Sequence, residues 1–209
     1  MKIFLTGGNG CIGKEIKKAL LWLGAEVISP SSKELDLSSD FKLKAQKVDS
    51  FIHCAGINTL APYDKIKTEE FNRLLNINTI SFIKLCGQLD IQAGGSILAI
   101  GSLYSACTKE QRLQYTVSKH ALYGAVKTLA LEMSAKEIKV NMISPGFIDT
   151  DLTRKNNSKK RINFLKQNVP LGLTPAREIA KVCSYFIDKN QHITGQNIVV
   201  DGGYSLRGI

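Results

Sequence analysis

Six short apolar segments alternate with stretches whose apolar residues repeat at helical spacing, and this alternation limits the fold more than any other feature. The expected strands are Lys2–Thr6, Glu26–Ser29, Asp49–His53, Ser96–Gly101, Ile138–Ile143 and Asn197–Val200. Helical patterns occupy Ile12–Leu23, Phe41–Lys47, Thr68–Ile91, Tyr115–Ala135 and Pro175–Asp188. A run such as Ser96-Ile97-Leu98-Ala99-Ile100 is nearly all apolar, as a strand is when both its faces are covered. Strand and helix in alternation imply βαβ units, a parallel sheet and helices on both faces. The chain has 209 residues and no internal repeat or Pro/Gly/Ser linker. The expected fold is therefore a single doubly wound, Rossmann-type α/β domain over residues 1–209.

Composition narrows the functional classes. No apolar run reaches the roughly 18 residues of a membrane span, and Met1–Thr6 enters a strand without the apolar core of a signal peptide. A cytoplasmic protein without membrane contact is expected. The five cysteines and three histidines are scattered, with no pair at metal-ligand spacing, so free thiols and no metal site are expected. The net charge of +10 raises nucleic acid as a partner. Its lysines, such as Lys14, Lys17 and Lys18, spread over helix faces, and no nucleic-acid motif accompanies them, so none is expected.

The junction after the first strand reads Thr6-Gly7-Gly8-Asn9-Gly10-Cys11-Ile12-Gly13 and opens a helix. Glycines there allow a tight turn, close approach of backbone to a pyrophosphate, and close helix–sheet packing. The N–H groups of the new helix then face the phosphate charge. Downstream, Tyr115 and Lys119 stand four apart on one face of a helix, and Ser102 follows the strand ending at Gly101. Strand end and helix start both fall at the carboxyl edge of a parallel sheet, where open α/β folds bind ligands.

These motifs, in this order, resemble the short-chain dehydrogenase/reductase family in its single-domain, ketoreductase-like form, and the resemblance covers almost the whole chain. Thr6-Gly7 through Gly13 is similar to the family's opening loop. Asp36-Leu37 resembles its adenine-contacting Asp, and Cys54-Ala55-Gly56 its Asn-Ala-Gly turn. Ser102, Tyr115 and Lys119 match its catalytic centre, with Asn78 at its fourth catalytic position. Pro145, Gly146, Ile148 and Thr150 resemble the loop that holds the nicotinamide amide. Ile193-Thr194-Gly195-Gln196 and Val200-Asp201-Gly202-Gly203 match its C-terminal signature. Two positions depart from the pattern. Cys11 stands where single-domain members carry glycine, so that Gly7, Gly10 and Gly13 keep the spacing of the epimerase-like branch. Cys54 replaces an Asn that steadies the central sheet.

The resemblance implies a nicotinamide cofactor and a carbonyl or secondary alcohol substrate. Lys119 would bond the nicotinamide ribose, Ser102 the substrate oxygen, and Asn78 would complete a water-linked proton path to Lys119. Tyr115 is the expected acid/base. A free tyrosine has a pKa of about 10, and lowering it by about three units takes about 4 kcal/mol, part of which the Lys119 ammonium can supply. Between the second strand and Glu34 the chain offers Ser31, Ser32 and Lys33 but no carboxylate, which favours NADP(H) over NAD(H). The short connection onward to Asp49 implies that one helix of the usual scaffold is missing.

Phe147–Thr174 is where the family places its substrate lid. From Leu152 to Arg177 it carries no acidic residue but has Arg154, Lys155, Lys159, Lys160, Arg161 and Lys166, which suits an anionic substrate as well as a solvated basic face. Leu103, Tyr104, Phe147 and Phe164 are expected pocket walls. Family members pair the helices corresponding to Thr68–Ile91 and Tyr115–Ala135 in dimers or tetramers, and Leu122, Ala125, Leu129 and Met133 suit an interface or a core. The alternatives are a non-catalytic nicotinamide-binding sensor or scaffold, and a truncated epimerase- or dehydratase-like enzyme.

Overall fold

A computed structural model of the protein describes residues 1–150, 153–154 and 157–207. The strands are β1 (Lys2–Thr6), β2 (Glu26–Ile28), β3 (Gln46–His53), β4 (Leu89–Ile100), β5 (Lys139–Pro145) and β6 (Asn197–Val200). All pair in parallel, in the order β2-β1-β3-β4-β5-β6. The chain leaves β1 toward one edge and returns to its other side as β3, so the crevice between β1 and β3 is a switch point.

Two apolar layers cover the sheet. Helix α1 (Cys11–Trp22) lays Ile16 and Leu20 against Ile179, Cys183 and Phe186 of α6 (Ala176–Asp188) and against Ile3, Leu5 and Ile52 of the sheet. On the other face, α3 (Ser81–Gln88) and α4 (Leu113–Glu132) bring Phe82, Leu85, Leu122 and Val126 onto Phe4, Phe51, Ile97 and Val140. Each fully buried Leu, Ile or Phe contributes roughly 1.5–3 kcal/mol, so the covered strands are held from both sides. Leu122 is fully buried, and Ala125, Leu129 and Met133 pack on the same cluster. The apolar stripe that suited an interface or a core packs, at these positions, inside the chain.

The expected helix over Phe41–Lys47 does not form. Residues 41–45 run without regular structure and Gln46 already belongs to β3. Phe41 and Leu43 pack on the core while Lys42 and Lys44 are exposed, a period of two rather than 3.6. Gln88 fixes the segment: Leu43 N–H donates to its Oε1 at 2.7 Å, and its Nε2 donates to the Phe41 carbonyl at 3.3 Å. No helix lies between β2 and β3, as the short connection implied.

The single helix expected over Thr68–Ile91 is instead α2 (Thr68–Leu75), a π-helical turn at Asn76–Ile80, and α3. Leu89, Asp90 and Ile91 are taken by the sheet, where they pair with Gln46, Lys47 and Val48 before a bulge that ends at Ser96. Helix α4 begins two residues before Tyr115 and ends at Glu132, followed by a 3-10 turn at Ser134–Lys136. Inside the segment expected to form a lid lies α5 (Lys159–Asn168), capped by Ser158, whose Oγ accepts from Arg161 N–H at 3.2 Å.

Candidate active site

At the carboxyl edge, three connected clefts surround the switch point. The first turn is close-packed for a backbone reason. Gly7 has φ +70°, and a Cβ added to it would lie 2.6 Å from the Ala55 nitrogen. One on Gly13 would lie 2.1 Å from the Gly7 carbonyl oxygen. The loop therefore has a bare backbone at the mouth of α1, as a pyrophosphate cradle needs. Gly7, Asn9, Gly10, Cys11, Ile12 and Gly13 line a cleft with Ile148 and Thr150 facing them. Ser31, Ser32, Asp36, Leu37 and Ala55 line the next, with Arg73. Asp36 accepts from the N–H and hydroxyl of Ser38, which hold its carboxyl below the usual range.

Ser31 has a carboxylate partner. Its N–H and its hydroxyl both donate to Glu34 Oε2 at 2.8 Å. Those bonds keep the Glu34 carboxyl lowered and ionised. The Glu34 carboxylate thus reaches back to Ser31 and takes both of its donors.

The third cleft, a cavity of about 170 Å³, holds the side chains expected to be catalytic. Ser102, Tyr115 and Lys119 line it together with Cys54, Gly56, Pro145 and Gly146. The Ser102 side chain lowers the proton affinity of the Tyr115 phenol. Ser102 is itself fixed: its Oγ accepts from Tyr104 N–H, and its N–H donates to Ser105 Oγ, both at 3.2 Å. Lys119 is 3% exposed and donates from Nζ to the Ile100 carbonyl at 2.8 Å, with Nζ 5.7 Å from the Tyr115 ring centroid.

Electrostatics here differ from the expectation that Lys119 pulls the tyrosine down. Burial raises the Tyr115 phenol above its ordinary value, against the opposing effects of the Ser102 hydrogen bond and the Arg112 charge. Burial also pushes Lys119 down to about 8 and the Cys54 thiol up to about 12. The pair therefore holds a protonated phenol beside an amine that titrates just above neutrality.

Asn78 sits in the π-helical turn, fully buried, and lines none of the three clefts. Its Oδ1 accepts from Ile57 N–H at 2.9 Å; its Nδ2 donates to the Ile57 carbonyl and to Ser118 Oγ, each at 3.0 Å. A Cβ added to Gly56 would lie 3.4 Å from Asn78 Oδ1 and 3.6 Å from Lys119 Nζ, so Asn78 and Lys119 flank one glycine. Asn76 points elsewhere, donating to the Ser38 carbonyl at 3.0 Å.

Sequence reasoning missed His53. It is fully buried, and burial pushes it down to about 3, so the ring is neutral. Its Nε2 lies 3.1 Å from the Ile77 carbonyl, which can only accept, so Nε2 carries the proton. Nδ1 then accepts from the Thr6 hydroxyl at 3.0 Å, and Thr6 Oγ1 accepts from Ala55 N–H at 3.2 Å. One neutral ring thus ties the end of β1 to the turn carrying Asn78. Its proximity to two cofactor motifs was the available signal.

Leu103, Tyr104 and Phe147 do line the cavity, whereas Phe164 is 38% exposed and carries the Arg161 guanidinium over its ring. In the segment expected to form a lid, Arg154 and Lys166 both pair with Asp149, so part of the expected basic field is neutralised by a carboxylate just upstream. Lys155 and Leu152 lie outside the described residues. Among the described residues no cluster of metal-ligating side chains occurs, and no helix is long and apolar enough to cross a membrane.

Residues 12–205 match the family model described as Enoyl-(Acyl carrier protein) reductase. The 3-oxoacyl-[acyl-carrier-protein] reductase FabG of Rickettsia conorii is 31% identical, covering 95% of this chain and 94% of its own. Carbonyl reductase family member 4 of Xenopus laevis is 34% identical over 84% of this chain and 75% of its own. A short chain dehydrogenase family protein from Francisella tularensis is 28% identical, with a TM-score of 0.82 over 98% of each chain. The chain belongs to the short-chain dehydrogenase/reductase family. A 4-hydroxyisoleucine dehydrogenase structure with NADH and succinate superposes with a TM-score of 0.83 over 99% of both chains at 27% identity. The fold of this short-chain dehydrogenase/reductase is thus the family's, in one domain, and its class is nicotinamide-dependent oxidoreductase.

Proposed function

We propose that the protein interconverts a carbonyl compound and its secondary alcohol, with Tyr115 as the proton donor and acceptor. The convergence of Ser102, Tyr115 and Lys119 on one cavity carries this reading. A substrate oxygen placed between them is held by Ser102 and meets the Tyr115 proton. Burial keeps that proton on Tyr115 until the substrate oxygen takes on negative charge. The bare backbone of Gly7 and Gly13 suits a dinucleotide pyrophosphate, and Lys119 lies where it can bond a nicotinamide ribose. A bound reduced nicotinamide supplies the hydride.

Asn78, which lines no cleft, acts as a positioning residue: it fixes Ile57, whose side of the cavity borders both the nicotinamide and adenosine regions. Glu34 makes NAD(H) the preferred cofactor, because its carboxylate accepts from a ribose hydroxyl and repels a 2′-phosphate. Relatives named for 3-oxoacyl and carbonyl reduction support a ketone as substrate.

The test is isotopic. Reduction of a ketone panel with NADH or NADPH deuterated at C4 should place deuterium on the carbinol carbon of the product. Cofactor binding with no deuterium in any product would favour the sensor reading.

A further inference from the structure

The cleft of about 430 Å³ on the Ser31 side has a wall that the glycine loop does not supply. Arg73, in the last turn of α2, is exposed and lines this cleft together with Leu35, Leu37 and Ile77. Ile77 follows Arg73 by four residues, so the two side chains share one side of the helix. Ile77 is buried and forms the base of that wall, and Arg73 forms its rim. Between them in sequence, Asn76 donates to the Ser38 carbonyl at 3.0 Å. That bond fixes the end of α2 against the turn that carries Asp36 and Leu37, and so sets the width of the cleft.

Shape and charge point to one kind of occupant. Gly7, Asn9 and Gly10 line both this cleft and the one at the mouth of α1, so the two are continuous past the loop. A dinucleotide with its pyrophosphate on that loop has its second nucleoside here. Leu35, Leu37 and Ile77 offer apolar surface, which suits the faces of a flat base better than a sugar or a phosphate. Arg73 adds a planar cation, and a guanidinium lies flat on an aromatic ring while its N–H edge serves other partners. Asp36 therefore does not compete with the ring. Its carboxylate takes the Ser38 N–H at 2.9 Å and the Ser38 hydroxyl at 2.7 Å, and those bonds lower its pKa more than the Arg73 charge does. Interaction at the edge leaves the face of the guanidinium available.

We propose that Arg73 stacks its guanidinium on the adenine of the cofactor and closes that end of the cleft against solvent; this rests on the nicotinamide-dinucleotide reading above. Arg73 recognises the ring and not a phosphate. It therefore serves NAD(H) and NADP(H) alike and leaves the choice between them to groups at the ribose. It is a binding residue for the adenine half and takes no part in moving the proton or the hydride.

Calorimetric titration separates stacking from charge. Arg73 is exposed on a helix, where alanine is favourable, so Arg73→Ala should fold as wild type does. It should bind NADH roughly tenfold more weakly, and Arg73→Lys should lose nearly as much, because an ammonium keeps the charge and lacks the planar face. NADPH should weaken by the same factor in each variant. Reduced nicotinamide mononucleotide has no adenine and should bind all three proteins within about twofold of one another. AMP carries the base but no hydride, so it reads the contact apart from the reaction and should bind Arg73→Ala roughly tenfold more weakly than wild type. Full affinity in Arg73→Lys, or a loss for NADPH well beyond that for NADH, would assign Arg73 to a phosphate and overturn the proposal. Unchanged AMP and NADH affinity in Arg73→Ala, or an equal loss for the mononucleotide, would also overturn it. Arg73-dependent binding of AMP and NADH without turnover of any ketone would retain the adenine contact and reject the reductase reading. Wild-type protein that binds neither would overturn both.

Discussion

Asn78 grips Ile57 with both ends of its amide, taking the Ile57 N–H at 2.9 Å and giving a proton to the Ile57 carbonyl at 3.0 Å. Removing that side chain leaves two backbone groups without their partner. Asn78→Ala should lower stability by about 2–3 kcal/mol, the cost of stranding such groups. It should also reduce kcat/KM roughly 10- to 100-fold as the cavity wall loosens. Leu20→Ala, a comparable core loss on the opposite face of the sheet, should leave kcat nearly unchanged. Equal kinetic effects from both would show that Asn78 contributes stability alone.

His53 carries an acid-sensitive part of the stability. Its folded pKa of about 3 lies below the ordinary 6.5, so between those values the unfolded chain binds a proton that the folded chain does not. The His53 contribution is complete above pH 6.5 and is lost progressively as pH falls toward 3. From pH 6.5 to 5 the loss is about 2 kcal/mol. Denaturant titrations at both pH values should show the unfolding free energy of wild type falling by that amount more than that of His53→Asn. Parallel pH dependences would contradict the neutral-ring network.

The burial of Lys119 opposes stability. Its folded pKa is about 8 rather than 10.5, which at pH 7 costs about 3 kcal/mol of folding free energy, partly offset by the bond to the Ile100 carbonyl. Because the unfolded chain binds more protons between pH 8 and 10.5, this cost disappears as pH rises through that window. Lys119→Met should therefore be more stable by about 1–2 kcal/mol at pH 7, with the gain vanishing by pH 10.5, and should lose turnover by roughly a thousandfold. A variant that melts below wild type at pH 7 would contradict the assignment of burial as the cause.

Glu34 should set the cofactor. Wild-type protein should bind NADH more tightly than NADPH, and Glu34→Gln should tighten NADPH binding roughly three- to tenfold, more so at low salt. Unchanged NADPH affinity in Glu34→Gln would remove Glu34 from the ribose site.

The alternation of apolar segments was enough to give the sheet, its parallel sense and the place of the ligand crevice, because strands buried on both faces carry a strong local signal. Tyr115, Lys119 and Ser102 were legible for a similar reason: a helix start and a strand end fix their neighbourhood. What the sequence hid depends on contacts between distant segments. Gln88 holds Phe41 and Leu43 in an extended path that local pattern alone left ambiguous with a helix. Glu34 folds back on Ser31, so a stretch read as lacking a carboxylate contains one in space. Leu89–Ile91 joined the sheet only because β3 begins early enough to pair with them. Nothing in the local pattern marks Arg112, whose burial beside Tyr104 is set by the fold.

The central claim is that Tyr115 moves the proton. Tyr115→Phe removes one oxygen from a residue already packed against Tyr104, so fold and cofactor cleft should survive. Single-turnover reduction of the best substrate should slow at least a thousandfold in Tyr115→Phe, while the Kd for the nicotinamide dinucleotide stays within about threefold of wild type. Turnover within tenfold of wild type would contradict the account and move the proton chemistry to another group.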